Sequence, residues 1–189
     1  MPESFAFHEI IGQLCFQTAK LADVSELSTL INGAYRGEKA LHSWSSEASL
    51  LDGQRVDVQM LTMQIQRANS AILSGHRLND LDKKLIGCVA VEQLSSQLSH
   101  LGMLTVDVSE QQNGFGDAFL KAGEAFAIRV FHAAKMRLTV LVQRPELIQW
   151  YERRGYRPTG EEQPFPYEDE RFGKPRQHNL KFAVFEKVL

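Results

Sequence analysis

Leu104-Thr-Val-Asp-Val-Ser-Glu-Gln-Gln-Asn-Gly-Phe-Gly116 runs from an apolar strand pattern through a polar turn into a helical pattern. Within it Gln111, Gly114 and Gly116 fit the spacing Gln/Arg-x-x-Gly-x-Gly/Ala. Glycines at the mouth of a helix let the backbone come close to a ligand, and the unpaired N–H groups of the helix start then point at an anion. A pyrophosphate suits such a place. A P-loop would end in Gly-Lys-Ser/Thr, where this chain has Asp117-Ala118. A dinucleotide fingerprint wants Gly or Ala where Phe119 stands. A structural turn that happens to carry two glycines stays open on this stretch alone.

Working outward, three strand patterns precede the turn, at 70–75, 85–94 and 98–108. Short polar hinges at 76–83 and 95–97 join them, which predicts an antiparallel meander. After the turn a helix is expected over 114–132, with Phe115, Phe119, Ala122, Phe126 and Val130 as its buried stripe. A strand at 137–143 leads into Pro145, well suited to a helix's first position, and that helix should end at Gly155. Strands at 156–160 and 180–188 close the chain, around a loop of Pro, Phe and Tyr at 163–177. Nearer the start, a strand is expected at 14–19. Asp23 and Glu26 form a capping-box pattern before a helix with Val24, Leu27, Leu30, Ile31 and Ala34 inward. Residues 35–52 show no clean period, and a second helix over 56–68 should bury Val58, Leu61, Ile65 and Ala68. The order β-α-α-β-β-β-α-β-α-β-β describes an α/β fold, a mixed, mostly antiparallel sheet of about seven strands flanked by about four helices.

With 189 residues and no linker or repeat, a single domain over 1–189 is expected. A net charge of -2 gives no long-range pull toward nucleic acid or an anionic membrane, so neither is expected as a partner. Cys15 and Cys88 sit in strand-like apolar runs and read as buried reduced thiols. The start MPESFAFHEI has no signal-peptide pattern, and no run approaches 18 apolar residues. A cytoplasmic location is expected.

A second motif follows about thirty residues after the turn: Leu138-Thr-Val-Leu-Val-Gln-Arg-Pro-Glu-Leu-Ile-Gln-Trp-Tyr-Glu-Arg-Arg-Gly-Tyr156. It joins a strand, a proline-started helix and a Tyr-x-x-x-Gly-aromatic ending. Together the two motifs resemble the adjoining core motifs of the GCN5-related N-acetyltransferases (GNAT), over roughly residues 85–156. The resemblance implies acetyl-CoA as cosubstrate, no metal, and direct attack by a primary amine of a small molecule or peptide. It implies that strand 101–108 pairs with the pantetheine arm, with the Leu104 N–H facing the thioester oxygen and Thr105 and Val106 alongside. Gln111 and the amides of Gln112, Asn113, Gly114, Phe115 and Gly116 would hold the pyrophosphate, with Asp117 and Gln143 among the cofactor contacts. Tyr151 would protonate the departing thiolate. Val108 departs from the family's common proline and Arg144 from its frequent asparagine, and the second leaves that strand end's chemistry open.

Acyl transfer to an amine needs a proton acceptor, because an alkylammonium with pKa about 10.4 is mostly protonated at neutral pH. His100, 14 positions before Gly114, is the first candidate, and its strand parity matches Gly102 and Leu104 if no bulge intervenes. Glu92 is the second, and a water chain or a plain surface role for His100 stays open. For the acceptor pocket, Trp44 and Glu47 in the first irregular stretch and Phe165, Tyr167, Glu168, Asp169 and Glu170 in the second would suit a cationic amine. The acidic run reads equally well as a solvated loop, and the basic residues of 171–176 leave an acidic acceptor open. Edge strands at the late hairpin make a homodimer a possible assembly. The competing class is a non-catalytic acyl-CoA-binding or protein-interaction module of the same fold.

Overall fold

The computed structural model of the chain describes residues 5–36, 40, 43 and 46–189. It opens with a hairpin, β1 (His8–Ile11) and β2 (Leu14–Thr18), turned around Gly12, whose φ of +59° belongs to the left-handed region. Four residues of alternating half-exposure at a sheet margin make a weak sequence pattern. For that reason β1 is the strand missing from the expected seven.

Helix α1 (Val24–Tyr35) buries Val24, Leu27, Ile31 and Ala34 as its periodicity requires. Its start is built differently from the expected capping box. The Asp23 carboxylate turns back to accept the Lys20 N–H at 2.7 Å and closes a short 3-10 turn over Leu21–Asp23, leaving no cap bond between Asp23 and α1. Further on come β3 (Leu51–Asp52) and α2 (Val58–Gln66), the latter capped by Asp57, whose Oδ1 accepts the Met60 N–H at 2.7 Å. This cap starts α2 two residues later than expected. Leu61 is inward, but Val58 is exposed and Ala68 lies exposed beyond the last turn, against the expectation that both are buried.

The meander forms as predicted: β4 (Ser70–Arg77), β5 (Leu85–Gln93) and β6 (Leu98–Val106) pair antiparallel in sequence order. There follow α3 (Phe115–Phe131), β7 (Lys135–Leu141), α4 (Pro145–Glu152), β8 (Arg157–Pro164), β9 (Lys174–Pro175) and β10 (Lys181–Val188). Among the described residues the main sheet has eight strands in the order β1-β2-β4-β5-β6-β7-β10-β8, and β3 pairs with β9 in a separate ribbon. Every contact in the main sheet is antiparallel except β6 with β7.

Each face of the sheet has its own core. Phe119, Phe126 and Phe131 of α3 pack with Tyr151 of α4 against Leu73, Val89 and Leu101, while Leu27, Ile31 and Leu61 of α1 and α2 cover Ile72, Cys88 and Ala90. Alternation along β4 and β5 therefore sends neighbouring residues to opposite cores, which is why both strands read as unbroken apolar runs. α3 lies so close over β5 that a Cβ at Gly87 would stand 2.3 Å from the Thr105 carbonyl oxygen and 2.6 Å from the Phe119 ring. No helix among the described residues is long and apolar enough to cross a membrane.

Gly87→Ala is expected to destabilise the fold by about 1–3 kcal/mol, because the carbonyl it meets is backbone and has little room to yield. The midpoint of urea unfolding at constant m-value checks this.

Candidate active site

β6 and β7 run parallel and pair only at Leu98↔Lys135, Ser99↔Met136 and His100↔Arg137, although β6 continues to Val106 and β7 to Leu141. Past His100 the two strands diverge. The cause lies in β6: Gly102 faces Ala90 and Thr105 faces Cys88, so Met103 and Leu104 together stand opposite the single residue Val89. This is a β-bulge, and Met103 adopts φ +48° within it. The bulge overturns the parity expected for His100. Leu101 and Leu104 now point into the same core, while His100 and Gly102 face the open side.

Between the diverging strands lies a cleft of about 300 Å³, walled by residues 101–104 of β6, 138–141 of β7, Tyr35, Tyr151 and Phe165. Tyr151 is 7% exposed, its ring set edge-on to Trp150 and Tyr156. Its hydroxyl has no hydrogen-bond partner among the described residues and opens on the cleft. Burial, reinforced by the neighbouring Tyr35, pushes the Tyr151 phenol well above its ordinary value, so it holds its proton throughout the working pH range. Tyr35 donates from its hydroxyl to the Leu104 carbonyl at 2.9 Å and is itself raised to about 12, by burial first and by Glu47 next. Cys88, buried under the bulge, is pushed up to about 12 by burial and is an inert thiol.

A second cavity, of about 360 Å³, opens between α2 and the β5–β6 pair, lined by Arg55, Arg67, Glu92, Met103, Arg171 and Phe172 among others. His100 and Gly102 line both spaces, so the imidazole stands at their junction. Glu92 is its cross-strand partner and lies 3.7 Å from Arg67. Burial first, and the Arg137 guanidinium second, lower the His100 pKa from 6.5 to about 4. The imidazole is therefore neutral at physiological pH, and a weaker proton acceptor than an unperturbed histidine.

The glycine turn lines a third cavity, of about 370 Å³, together with Ile11, Gln13, Arg77 and Ala118. Gly114 is the N-cap of α3 at φ +75°, Gln112 has φ +71°, and a Cβ at Gly114 would meet nothing within 4 Å. A Cβ at Gly116 would come only to ordinary contact with Trp150, at 3.5 Å. The amides of Gln112 to Gly116 find no main-chain acceptor among the described residues, as expected of a helix start ready for an anion. Several expected contact side chains face elsewhere. Gln111 Nε2 donates inward to Ser43 Oγ at 2.9 Å and to the Val106 carbonyl at 3.1 Å. Asp117 is held by Lys121 at 2.7 Å and Arg154 at 3.0 Å, and Gln143 Nε2 donates to the Asn179 carbonyl at 2.8 Å. Phe115 is core, and Thr105 Oγ1 donates to the Met103 carbonyl at 2.9 Å inside the bulge.

On the acceptor side, Glu47 lines the cleft, but its carboxylate is paired with Arg36 at 2.5 Å. The Tyr167 hydroxyl accepts the Leu180 N–H at 2.7 Å and so anchors the late loop, whose Phe165 faces the cleft. In the acidic run, Asp169 is bound by Arg171 and Glu170 lies 3.6 Å from Lys174. Trp44 lies outside the described residues. Arg36, Arg55 and Tyr35, which face these spaces, belong to neither sequence motif, and only the fold brings them in. Arg144, marked earlier as a departure, lines the cleft and binds Glu146 and the Ser46 carbonyl.

The model of the acetyltransferase (GNAT) domain family matches residues 45–166, well over half of the chain. The chain belongs to the GNAT acetyltransferase family. It is thereby an acyl-CoA-dependent N-acetyltransferase. No curated protein matches it in sequence. Among solved structures, it is similar to spermidine/spermine N-acetyltransferase SpeG from Vibrio cholerae, solved with manganese ions, at 14% identity and TM-score 0.64, covering 93% of this chain and 92% of that one. It is equally similar to spermidine N-acetyltransferase from Vibrio cholerae solved with CoA and spermine, at 14% identity and TM-score 0.65, covering 93% and 95%. At that identity the likeness speaks for the fold, which is the one expected from the two motifs.

Because the folded state keeps His100 neutral, its contribution to stability is full above pH 6.5 and is lost as pH falls from 6.5 toward 4, where the unfolded chain takes up the proton first. Replacing it by Gln is expected to reduce the loss of stability between neutral pH and pH about 4.5 by about 1–2 kcal/mol, the ring's partial contact with water discounted. Urea unfolding of both proteins at the two pH values checks this.

Proposed function

We propose that this enzyme transfers the acetyl group of acetyl-CoA to the primary amine of a small molecule, inside the cleft opened by the β6 bulge. The observation that carries the reading is the unpartnered Tyr151 hydroxyl facing a cleft whose two strand edges have stopped pairing with each other. Unpaired strand edges are the groups that an amide-bearing arm can satisfy by strand-like hydrogen bonds. The glycine turn, with open space over Gly114 and a cavity of its own, is proposed to hold the pyrophosphate. Acetyl-CoA, when bound, supplies the activated acyl group.

The remaining chemistry falls to side chains and backbone. The Leu104 N–H, at the bulge, is proposed to donate to the acyl oxygen, with the Leu104 carbonyl already occupied by Tyr35. Tyr151, kept protonated by burial, is proposed to give its proton to the leaving sulfur. The amine must arrive neutral, since His100 near pKa 4 lies far below the roughly 10.4 of an alkylammonium and cannot strip it beforehand. His100 is proposed to take the proton later, once bonding to the acyl carbon has made the nitrogen acidic, and to pass it toward Glu92 or solvent. The enzyme's kcat/KM should accordingly rise with pH toward the amine's own pKa, with no limb near 6.5.

Tyr151→Phe is expected to lower kcat by about 100-fold while leaving CoA affinity unchanged, a loss confined to the transition state. Thiol release at saturating acetyl-CoA, beside calorimetric titration with CoA, measures both. Tight CoA binding with no thiol release by any amine would instead mark a binding module.

A further inference from the structure

Charge around the second cavity, which adjoins the cleft at His100 and Gly102, is lopsided. Three arginines, Arg55, Arg67 and Arg171, line it against one carboxylate, Glu92. Two of the three are spoken for: Arg67 lies 3.7 Å from Glu92, and Arg171 is clamped by Asp169 through two bonds of 2.7 and 2.5 Å. In the adjoining cleft Glu47 is taken by Arg36, and Arg144 by Glu146. Arg55 has no carboxylate partner among the described residues, and it lines both spaces, as His100 does.

Arg55 is also held in place. Asn32 of α1 accepts the Arg55 N–H at 2.6 Å and the Val56 N–H at 3.2 Å, and donates back to the Val56 carbonyl at 2.9 Å. The guanidinium lies over the Tyr35 ring, 5.6 Å from its centroid, and that ring is fixed by its bond to Leu104. A half-buried arginine with a fixed stem and no carboxylate partner is costly to keep unless something else meets its charge. A planar guanidinium matches carboxylate or phosphate oxygens two at a time, and it repels a second positive charge on an incoming amine. Most of the remaining wall, Val56, Leu61, Met103 and Phe172 among it, is apolar, with Gln64 and His100 the polar exceptions.

We propose that the acceptor is an amphipathic amine that carries, besides its amino group, a carboxylate or other small anionic group bound by Arg55. This specificity rests on the acyl-transfer reading above. It excludes a polyamine as the preferred acceptor, since every extra positive charge would face Arg55 in the cavity.

The test compares matched amines with the whole protein and acetyl-CoA, by thiol release: leucine against leucinamide, 4-aminobutyrate against butylamine, phosphoethanolamine against ethanolamine, with spermidine as the polycation. The expected result is at least one pair in which the anionic member has a kcat/KM roughly tenfold or more above its uncharged partner. Which pair it is separates carboxylate from phosphate. In wild type that ratio should shrink as salt rises, an outcome that needs no variant. Arg55→Met should bring the ratio close to one, and Arg55→Lys should restore part of it, with CoA titration showing that both variants keep the donor site. Equal or better turnover of uncharged amines or spermidine, or a ratio untouched by Arg55→Met, overturns the proposal while acyl transfer stands. CoA binding without thiol release from any amine overturns both.

Discussion

Three residue pairs of parallel β6 and β7 are joined by hydrogen bonds, and beyond His100↔Arg137 both strands go on without each other. A parallel pair normally zips evenly, so a local extra residue is needed to break it. Met103 and Leu104 opposite Val89 supply that residue. The bulge does more than open a space. It turns Leu104 to the same core as Leu101, keeps His100 and Gly102 on the open side, and leaves the Leu104 carbonyl to Tyr35.

The frame was legible because its signals are local. Pro145 and Gly155 bracket α4, Gly114 opens α3, and the apolar runs of β4 and β5 mark strands covered on both faces. What escaped depends on distant contacts. The bulge has no signature in 98–108, because Met103 is an unusual residue to adopt a positive φ and is held there by its neighbours. Asp23 looked like a helix cap, yet its carboxylate found the Lys20 N–H first. The aromatic and acidic residues proposed for the acceptor pocket had the right chemistry in isolation, but Glu47 and Asp169 are consumed by arginines that no sequence pattern places beside them.

That last point changes the electrostatic character of the site. Counting carboxylates along the chain suggests a pocket for a cation, whereas pairing them off in space leaves a guanidinium as the unmatched group. The same accounting explains the weak imidazole. His100 sits between its strand partners Glu92 and Arg137, and burial together with Arg137 keeps it uncharged. In the proposed mechanism, proton traffic accordingly follows bond formation to the amine nitrogen instead of preceding it.

The β3–β9 ribbon ties the two irregular segments together, Leu51 to Pro175, with Arg176 reaching Asp52 across 124 residues of chain at 2.5 Å. The glycine turn, by contrast, lies in the near-continuous stretch that joins β6 to α3. Closing so long a loop costs entropy, which two residue pairs, the Arg176 links to Leu50 and Asp52, and a small apolar cluster around Leu50, Leu141 and Phe165 help to offset. A seam of this kind, joining parts of the chain so far apart in sequence, is expected to open earlier in native-state fluctuations than the main sheet.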